Sequence, residues 1–263
     1  MTGKLLGVRK SFLGLLAVGF LLLAFDFGQR YWYVKGAPHP EAVVKIGDEG
    51  PLTYALLVAG AGLDEAEMAT GLRDLRHAQR VVLEEASGRK VVRSLYPGQS
   101  GFSAEQFEEA LREADGADHL LLYLTGHGGG FNFGATSELN LRTERIFELL
   151  STVKVGRITL MVDCCWSGQF ALEMEKHQFA CPISVVTSTD AKHPAPFPVS
   201  FLGPRSYGAT WFSYLDRGPE EAFQATNEWR SRLKPLYPEG MGLLGTWGQK
   251  RPASVDQNVP TGN

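Results

Sequence analysis

Apolar and polar positions follow two different rhythms along the chain from residue 53 onward. Short runs that are apolar at almost every position predict strands buried on both faces, and longer segments with apolar residues three or four positions apart predict amphipathic helices. The predicted strands are 54–60, 90–97, 119–126, 157–164 and 183–190. The predicted helices are 65–88, 103–115, 142–153 and 220–233. Strands that alternate with helices predict an α/β sandwich of three layers around a mostly parallel central sheet.

The segments on either side of this pattern differ in composition. Residues 35–52 are rich in proline, glycine and charge, which predicts a linker, and residues 236–263 form a tail that is rich in proline and glycine. The predicted domain therefore spans residues 53–235. Within it, Ser103 stands three positions before Gln106, the arrangement of a capping box at the start of a helix.

Residues 1–34 have the pattern of a membrane segment. Fourteen apolar residues, 12–25, follow basic side chains and precede the aromatic cluster 31–33. An apolar span of this length fits a secretory signal or a signal anchor, and the lack of a small-residue cleavage motif favours a single transmembrane anchor. Basic residues before the span predict a cytoplasmic N-terminus and a domain outside the cytoplasm, or a secreted domain if the segment is cleaved.

Composition and charge limit the partners and cofactors to be expected. The chain has 263 residues, of which 44% are hydrophobic and 21% charged, and its formal net charge is −3. This is ordinary globular composition, and the lack of a basic run gives no reason to expect nucleic acid. The three cysteines are too few for a disulfide framework and lack the spacing of a zinc site, so we expect neither a metal nor another cofactor.

Two predicted strand ends carry reactive side chains. One strand runs into Thr-Gly-His-Gly-Gly (125–129), and the next runs into Asp-Cys-Cys-Trp-Ser-Gly (163–168). The carboxyl ends of parallel strands meet at one edge of a sheet, which is where ligands bind in such folds. A thiol attacks an acyl carbon well only as a thiolate, which an imidazole promotes, while glycine lets backbone N–H groups approach an oxyanion. The pattern predicts a cysteine nucleophile with a histidine base, His127.

These motifs resemble those of the caspase–hemoglobinase clan of cysteine peptidases. The most similar pattern is that of the legumain family, which includes the catalytic subunit of the glycosylphosphatidylinositol transamidase. That family has His-Gly after one strand and acid-x-Cys-x-Ser-Gly after the next. In this register Cys165 matches the nucleophile, and Cys164 occupies a variable position whose side chain points to the other face of the strand. Weaker similarities, such as Ser-Tyr-Gly-Ala-Thr-Trp-Phe-Ser (206–213), extend the resemblance over residues 53–215.

The resemblance implies a role for several further residues. The backbone of Gly128 would help to hold the oxyanion. The segment Asp-Leu-Arg-His resembles the family's Arg-His region, which implies that Asp74 orients the catalytic histidine and that Arg76 lines the pocket for the residue before the cut. On sequence alone Arg73 and Arg80 fit the pocket role equally well, and a solvated helix arginine is the alternative for all three.

The substrate pocket implied by the resemblance consists of Arg76, Asp163 and Thr210. Members that cleave after asparagine have an acid at the last of these positions, so a strict asparagine preference does not carry over to this chain. Trp166 stands where the family has a smaller or polar residue, which narrows the expected cleft.

Four functions remain open at this level. The first is a membrane-anchored cysteine endopeptidase that cleaves a polypeptide through a thioester acyl-enzyme. The second is a transamidase that passes the same acyl group to an amine, and the third is a protease of caspase or metacaspase specificity. The fourth is a non-catalytic, caspase-like binding module. The resemblance also leaves room for a partner that presents the substrate.

Overall fold

A computed structural model gives the fold of the protein. The structure describes residues 39–60, 64–84, 88–129, 131–134, 138–196, 206–237 and 239–252, together with residues 28, 31, 32 and 34–37. The predicted transmembrane segment, residues 12–25, lies outside the described residues. Among the helices of the described part, none is long and apolar enough to cross a membrane.

From residue 39 onward, the described chain contains nine strands and six α-helices, and strands and helices alternate along most of it. The strands are β1 (Val43–Ile46), β2 (Leu52–Ala59), β3 (Arg89–Leu95), β4 (His119–Thr125), β5 (Asn132–Phe133), β6 (Leu141–Arg142), β7 (Ile158–Asp163), β8 (Ile183–Thr187) and β9 (Trp247–Lys250). The α-helices are α1 (Glu65–Glu84), α2 (Ala104–Arg112), α3 (Thr143–Thr152), α4 (Gly168–Met174), α5 (Tyr207–Phe212) and α6 (Pro219–Ser231). Two 3-10 turns follow α5 and α6, at Leu215–Arg217 and Lys234–Leu236.

Seven of the strands form one sheet in the order β1-β3-β2-β4-β7-β8-β9. The five inner strands are parallel, and β1 and β9 are antiparallel to their neighbours at the two edges. β5 and β6 form a separate two-stranded sheet. The mostly parallel central sheet predicted from the sequence is therefore confirmed. The inner strands β2, β4, β7 and β8 are mostly apolar because helices cover both faces, whereas β3 also carries arginine and lysine.

Alternate side chains of the strands point into two separate cores. Leu56 on β2 belongs to the core beneath α2, α3 and α4, and its neighbour Leu57 belongs to the core beneath α1, α5 and α6. Successive side chains on a strand face opposite sides of the sheet, so each helical layer buries half of every inner strand. This is the three-layer sandwich predicted from the pattern of apolar residues.

The structure differs from the predicted domain boundaries at both edges of the sheet. β1 lies within the segment predicted as a linker, and β9 lies within the segment predicted as a tail. Both are four-residue edge strands that pair with an inner strand on one side only, so their side chains need not be apolar at every position. The predicted cap of α2 is confirmed, since the backbone N–H of Gln106 donates to Ser103 Oγ at 3.3 Å.

Candidate active site

The register of β4 and β7 brings His127 and a cysteine to the same edge of the sheet. The two strands are parallel neighbours, and Thr125 lies opposite Asp163 at their carboxyl ends. His127 and Cys165 each follow this pair by two residues. Both side chains line one small cavity, as the motifs predicted.

The turn after β4 fixes the backbone of His127. Gly126 has a φ of +138°, and a side chain there would come within 3.1 Å of the backbone of Gly60 at the end of β2. Only glycine adopts this conformation readily while letting two chain segments come so close. On the other side, the backbone N–H of Gly134 donates to the carbonyl of His127 at 2.9 Å. The histidine therefore leaves the strand along a defined path.

The two adjacent cysteines face different surroundings. Cys164 is buried, with 2% of its surface exposed, and belongs to the core beneath α2, α3 and α4. Cys165 is partly exposed, and its thiol donates to the carbonyl oxygen of Ala195, with 3.7 Å between sulfur and oxygen. Both cysteines line the small cavity, and the assignment of the nucleophile to Cys165 stays a prediction.

The residue after Cys165 has an unusual backbone. Trp166 has a φ of +54°, and 38% of its surface is exposed. Its backbone N–H donates to the carbonyl of His193 at 3.1 Å. A bulky residue in the left-handed region is uncommon and is maintained only where surrounding contacts hold it. The turn that carries the cysteine is therefore held against the segment that follows β8.

Ser167 and Gly168 complete this attachment. The hydroxyl of Ser167 is fully buried and accepts the backbone N–H groups of Ser188 and Thr189, each at 3.1 Å. A side chain at position 168 would overlap the backbone of Asp190 and Ala191. The Ser-Gly pair after the cysteine thus has a structural basis: the serine binds the turn after β8, and the glycine lets that turn approach.

The imidazole of His127 has a carboxylate partner. His127 Nε2 lies 2.8 Å from Glu67 Oε2, which belongs to the first turn of α1. The resemblance gave this orienting role to Asp74, and the structure corrects it. Asp74 lies seven residues further along the same helix, about 10 Å along its axis at the usual rise, where its charge acts on Tyr123.

The surroundings of Cys165 favour the protonated thiol over the thiolate. Burial raises the pKa of Cys165, and the charges of Asp163 and Glu67 raise it further. A backbone interaction with Ala195 lowers the pKa of Cys165, but by less than burial raises it. The resting site therefore holds a thiol that a base has to deprotonate as the substrate binds.

Two backbone N–H groups, in the turns that follow β4 and β7, are available as donors. Among the described residues, neither the N–H of Gly128 nor that of Cys165 donates to a protein acceptor. Gly128 packs so tightly against Cys164 that a side chain at this position would overlap the Cys164 sulfur. This close packing holds the turn after His127 against the turn that carries the cysteine. Available N–H groups at such a position suit an oxyanion.

The predicted substrate pocket is not assembled in the structure. Asp163 is buried and its Oδ2 accepts the backbone N–H of Gly208 at 2.6 Å, which joins the end of β7 to α5. Thr210 is also buried, and its hydroxyl donates to the carbonyl of Ser206 at 2.9 Å. These contacts occupy the two side chains with the packing of α5. Neither lines the cavity that His127 and Cys165 share.

Arg76 lies away from the site, and this corrects the pocket role implied by the resemblance. Its Nη1 donates to Gln79 Oε1 at 3.0 Å and lies 3.9 Å from a carboxylate oxygen of Glu41. Arg76 follows Glu67 by nine residues, which at 100° per residue places it on the opposite side of α1. The helix cannot present both side chains to the same cavity.

His127, Cys165 and Ala195 line a cavity of about 20 Å³. This volume has room for about one water molecule. A larger cleft in the described structure, about 950 Å³, opens at the amino ends of the strands beside His119 and Arg157. It has no cysteine, so its size alone does not make it the candidate active site. No group of three or more metal-ligating side chains comes together among the described residues.

Sequence reasoning missed two charged residues near the site. Glu67 is one of several acids in the first turns of predicted helices, and no local pattern distinguishes it. Arg230 on α6 has 1% of its surface exposed, and its charge acts on the buried Asp163. A buried arginine contradicts the usual expectation for a charged residue on a helix, so only the tertiary structure identifies it.

Comparisons with known proteins give structural similarity without a sequence family. No protein-family model and no curated protein matches the chain. Protein GSU0716 from Geobacter sulfurreducens is 11% identical, with a TM-score of 0.50 over 79% of this chain and 96% of its own. Caspase-1 from Spodoptera frugiperda is 8% identical, with a TM-score of 0.47 over 80% and 93%. A secreted C11 cysteine protease from Bacteroides thetaiotaomicron is 13% identical, with a TM-score of 0.43 over 75% and 65%. The first of these structures shares the fold of this chain.

Proposed function

We propose that this protein is a cysteine-type peptidase in which Cys165 is the nucleophile and His127 the base. The observation that carries the proposal is the cavity lined by both side chains at the carboxyl ends of two neighbouring parallel strands. Support also comes from the available N–H groups of Gly128 and Cys165 beside it. A nucleophile and a base within one cavity, with available backbone donors in the same two turns, are the parts that acyl transfer requires.

The reaction follows from this arrangement. The substrate displaces the carbonyl of Ala195 from the thiol, and His127 accepts the proton of Cys165 as the sulfur attacks the peptide carbonyl. The two backbone N–H groups hold the oxyanion of the tetrahedral intermediate. His127 then gives its proton to the leaving amine, and the thioester acyl-enzyme remains. Water attacks the thioester with His127 as base, which releases the carboxylic acid and restores the thiol.

We further propose that the peptidase is legumain-like and acts on a polypeptide outside the cytoplasm, held by an N-terminal anchor. The motifs around His127 and Cys165 and the apolar segment 12–25 support these finer assignments. Water is the acceptor proposed here. A transamidase would give a product whose mass includes the amine, so the mass of the product distinguishes the two reactions.

Covalent labelling of the full chain tests the proposal. An acyloxymethyl ketone peptide probe, which alkylates activated cysteines, is expected to modify Cys165, and mass spectrometry identifies the labelled residue. His127→Ala should lower the rate of labelling by roughly a hundredfold or more, because the general base contributes about that factor. Cys164→Ala is the matched control and should label as the wild type does. Equal labelling of Cys164 and Cys165, or the same rate without His127, would contradict the assignment.

A further inference from the structure

We propose that Glu67 is the positioning residue of the candidate site. Its carboxylate holds His127 in the tautomer that carries the proton on Nε2, so that Nδ1 is left to accept the proton of Cys165. This inference rests on the proposed function, since it assigns a role within the same site. It gives the cysteine and the histidine a third member that the sequence motifs do not contain.

The contact is short and partly shielded from solvent. Glu67 Oε2 lies 2.8 Å from His127 Nε2, and the two side chains are 20% and 28% exposed. A carboxylate only accepts hydrogen bonds when ionised, so the nitrogen that faces it carries the proton. In a neutral imidazole the other nitrogen then has the lone pair. The geometry therefore selects Nδ1 as the basic nitrogen.

The start of α1 fixes the position of Glu67. Asp64 precedes the helix, and its Oδ1 accepts the backbone N–H groups of Ala66 and Glu67, each at 2.9 Å. This is the arrangement of a helix N-cap, and it sets the direction in which the first turn projects its side chains. The carboxylate is thus attached to a rigid element rather than to a loop.

The same face of α1 forms one wall of the cavity. Gly71, one turn after Glu67, lines the cavity together with Glu67, His127 and Cys165. A side chain at position 71 would contact Cβ of Ala59 at 3.4 Å, so the helix lies close to the end of β2. This approach brings the first turn of α1 over the ends of the strands and places the carboxylate behind the imidazole.

The carboxylate of Glu67 has different effects on the imidazole of His127 and on the sulfur of Cys165. When Nδ1 takes the proton of Cys165, the imidazole becomes a cation that is directly hydrogen-bonded to the negative Glu67. The charge of Glu67 also acts on the sulfur, where it favours the thiol. Because the hydrogen bond is to the imidazole, the carboxylate favours transfer of the proton from sulfur to nitrogen. No atom is gained or lost, since the proton only moves from Sγ to Nδ1.

The tautomer of His127 is a direct readout that does not depend on peptidase activity. In the ¹⁵N-labelled full chain, long-range ¹H–¹⁵N spectra at neutral pH distinguish the two nitrogens, and His127→Gln assigns the signals. We expect the Nε2–H form in the wild type. Glu67→Leu, which keeps the bulk and removes the acceptor, should give a mixture of tautomers. Glu67→Gln keeps an amide oxygen that can accept from Nε2 and should restore part of the Nε2–H population.

Alkylation of Cys165 by iodoacetamide gives the second readout. A misplaced base slows such a reaction, and we expect a decrease of roughly tenfold to a hundredfold in Glu67→Leu. Glu65→Gln, an exposed acid in the same turn, is the matched control and should react at the wild-type rate. The smaller loss expected in Glu67→Gln separates positioning from a purely structural role.

Two results would overturn the inference. One is an Nδ1–H tautomer in the wild type, which needs no variant to observe. The other is an unchanged tautomer and an unchanged alkylation rate in folded Glu67→Leu, which has no acceptor for Nε2. A wild-type chain that shows the Nε2–H form but does not react with the peptide probe would instead contradict the proposed peptidase function and leave the positioning contact standing.

Discussion

At the residue scale, the two adjacent cysteines differ in what surrounds each sulfur. Both cysteines line the small cavity, but Cys164 also packs in the core against the backbone of Gly128, and Cys165 is the more exposed of the two. The alternation of side chains along a strand predicts this division, because it continues for one or two residues beyond β7. The pair in the sequence therefore combines a packing residue with a reactive one.

Replacement of Gly128 by alanine tests the packing role. A Cβ at this position would overlap the sulfur of Cys164 and lie 3.0 Å from its Cβ. We expect Gly128→Ala to lower the free energy of unfolding by about 1–3 kcal/mol, the usual cost of overpacking. Urea denaturation measures this change. The matched control is Gly129→Ala, because a Cβ there would meet no atom within 4 Å.

A second substitution shows whether the sulfur is the cause. Cys164→Ala removes the overlapping atom and leaves the 3.0 Å contact between Cβ atoms. In the Cys164→Ala protein, Gly128→Ala should lower the free energy of unfolding by less than it does in the wild type. The difference between the two decreases, the coupling energy, should be about 0.5–3 kcal/mol, as for residues in contact. Additive effects of the two substitutions would show that the cost of the alanine has another origin.

The charged residues of the site show where sequence reasoning reaches its limit. His127 and Cys165 were predicted because distinctive residue types stand at strand ends, which the sheet brings together. Glu67 could not be predicted, because the contact depends on how α1 rotates about its axis over the sheet. The same rotation turns Arg76 to the opposite side of the helix. A short motif match gives the residue type but not the face on which it lies.

At the element scale, the turn between β7 and α4 is fixed by one buried hydroxyl. Ser167 Oγ accepts two backbone N–H groups from the turn after β8. An isolated α4, seven residues long, would not be stable in water. The position of Cys165 therefore depends on contacts between elements rather than on the helix that follows it.

Ser167→Ala measures this contribution. The substitution leaves the buried N–H of Thr189 without its acceptor, whereas the N–H of Ser188 still donates to the carbonyl of Val162 at 2.9 Å. One unsatisfied buried donor costs about 1–3 kcal/mol. We expect a decrease of that size in the free energy of unfolding, measured with urea. Ser231→Ala removes an exposed hydroxyl bonded to its own helix and is the control, with an expected effect within about 0.5 kcal/mol. Equal effects of the two substitutions would contradict the role of Ser167.

The elements that sequence reasoning predicted and those it missed differ in length and burial. All five inner strands are predicted from the sequence. β2, β4, β7 and β8 are mostly apolar because both of their faces are buried, and β3 has apolar residues at only three of its seven positions. β1 and β9 have four residues each and are partly exposed, so their pattern does not stand out from that of a linker or tail. α4 and α5, with seven and six residues, are shorter than two turns of helical periodicity.

At the scale of the whole molecule, the two ends of the sheet have different roles. The carboxyl ends of β4 and β7 hold the candidate site, and the amino ends hold His119, which begins β4. His119 Nε2 lies 3.0 Å from Thr159 Oγ1, and its Nδ1 lies 3.5 Å from an Nη atom of Arg157. Because a guanidinium can only donate, Nδ1 accepts and the imidazole is neutral. Protonation of His119 at acid pH should therefore lower the free energy of unfolding through contacts at the amino ends of the strands, opposite the candidate site.

Burial and, to a smaller extent, the charge of Arg157 together lower the pKa of His119 to about 4. In the unfolded chain a histidine has a pKa of about 6.5, so the unfolded state binds the proton first as the pH falls. The stability that this neutral histidine maintains is complete above pH 6.5 and is lost progressively between about pH 6.5 and 4, by up to about 3 kcal/mol.

His119→Gln, which keeps a donor for Thr159, should reduce the difference between the free energies of unfolding measured with urea at pH 7 and pH 4. The exposed His39→Gln is the control and should keep the wild-type difference. If the free energy of unfolding decreased equally between pH 7 and pH 4 in all three proteins, the acid sensitivity would come from carboxylates instead of His119.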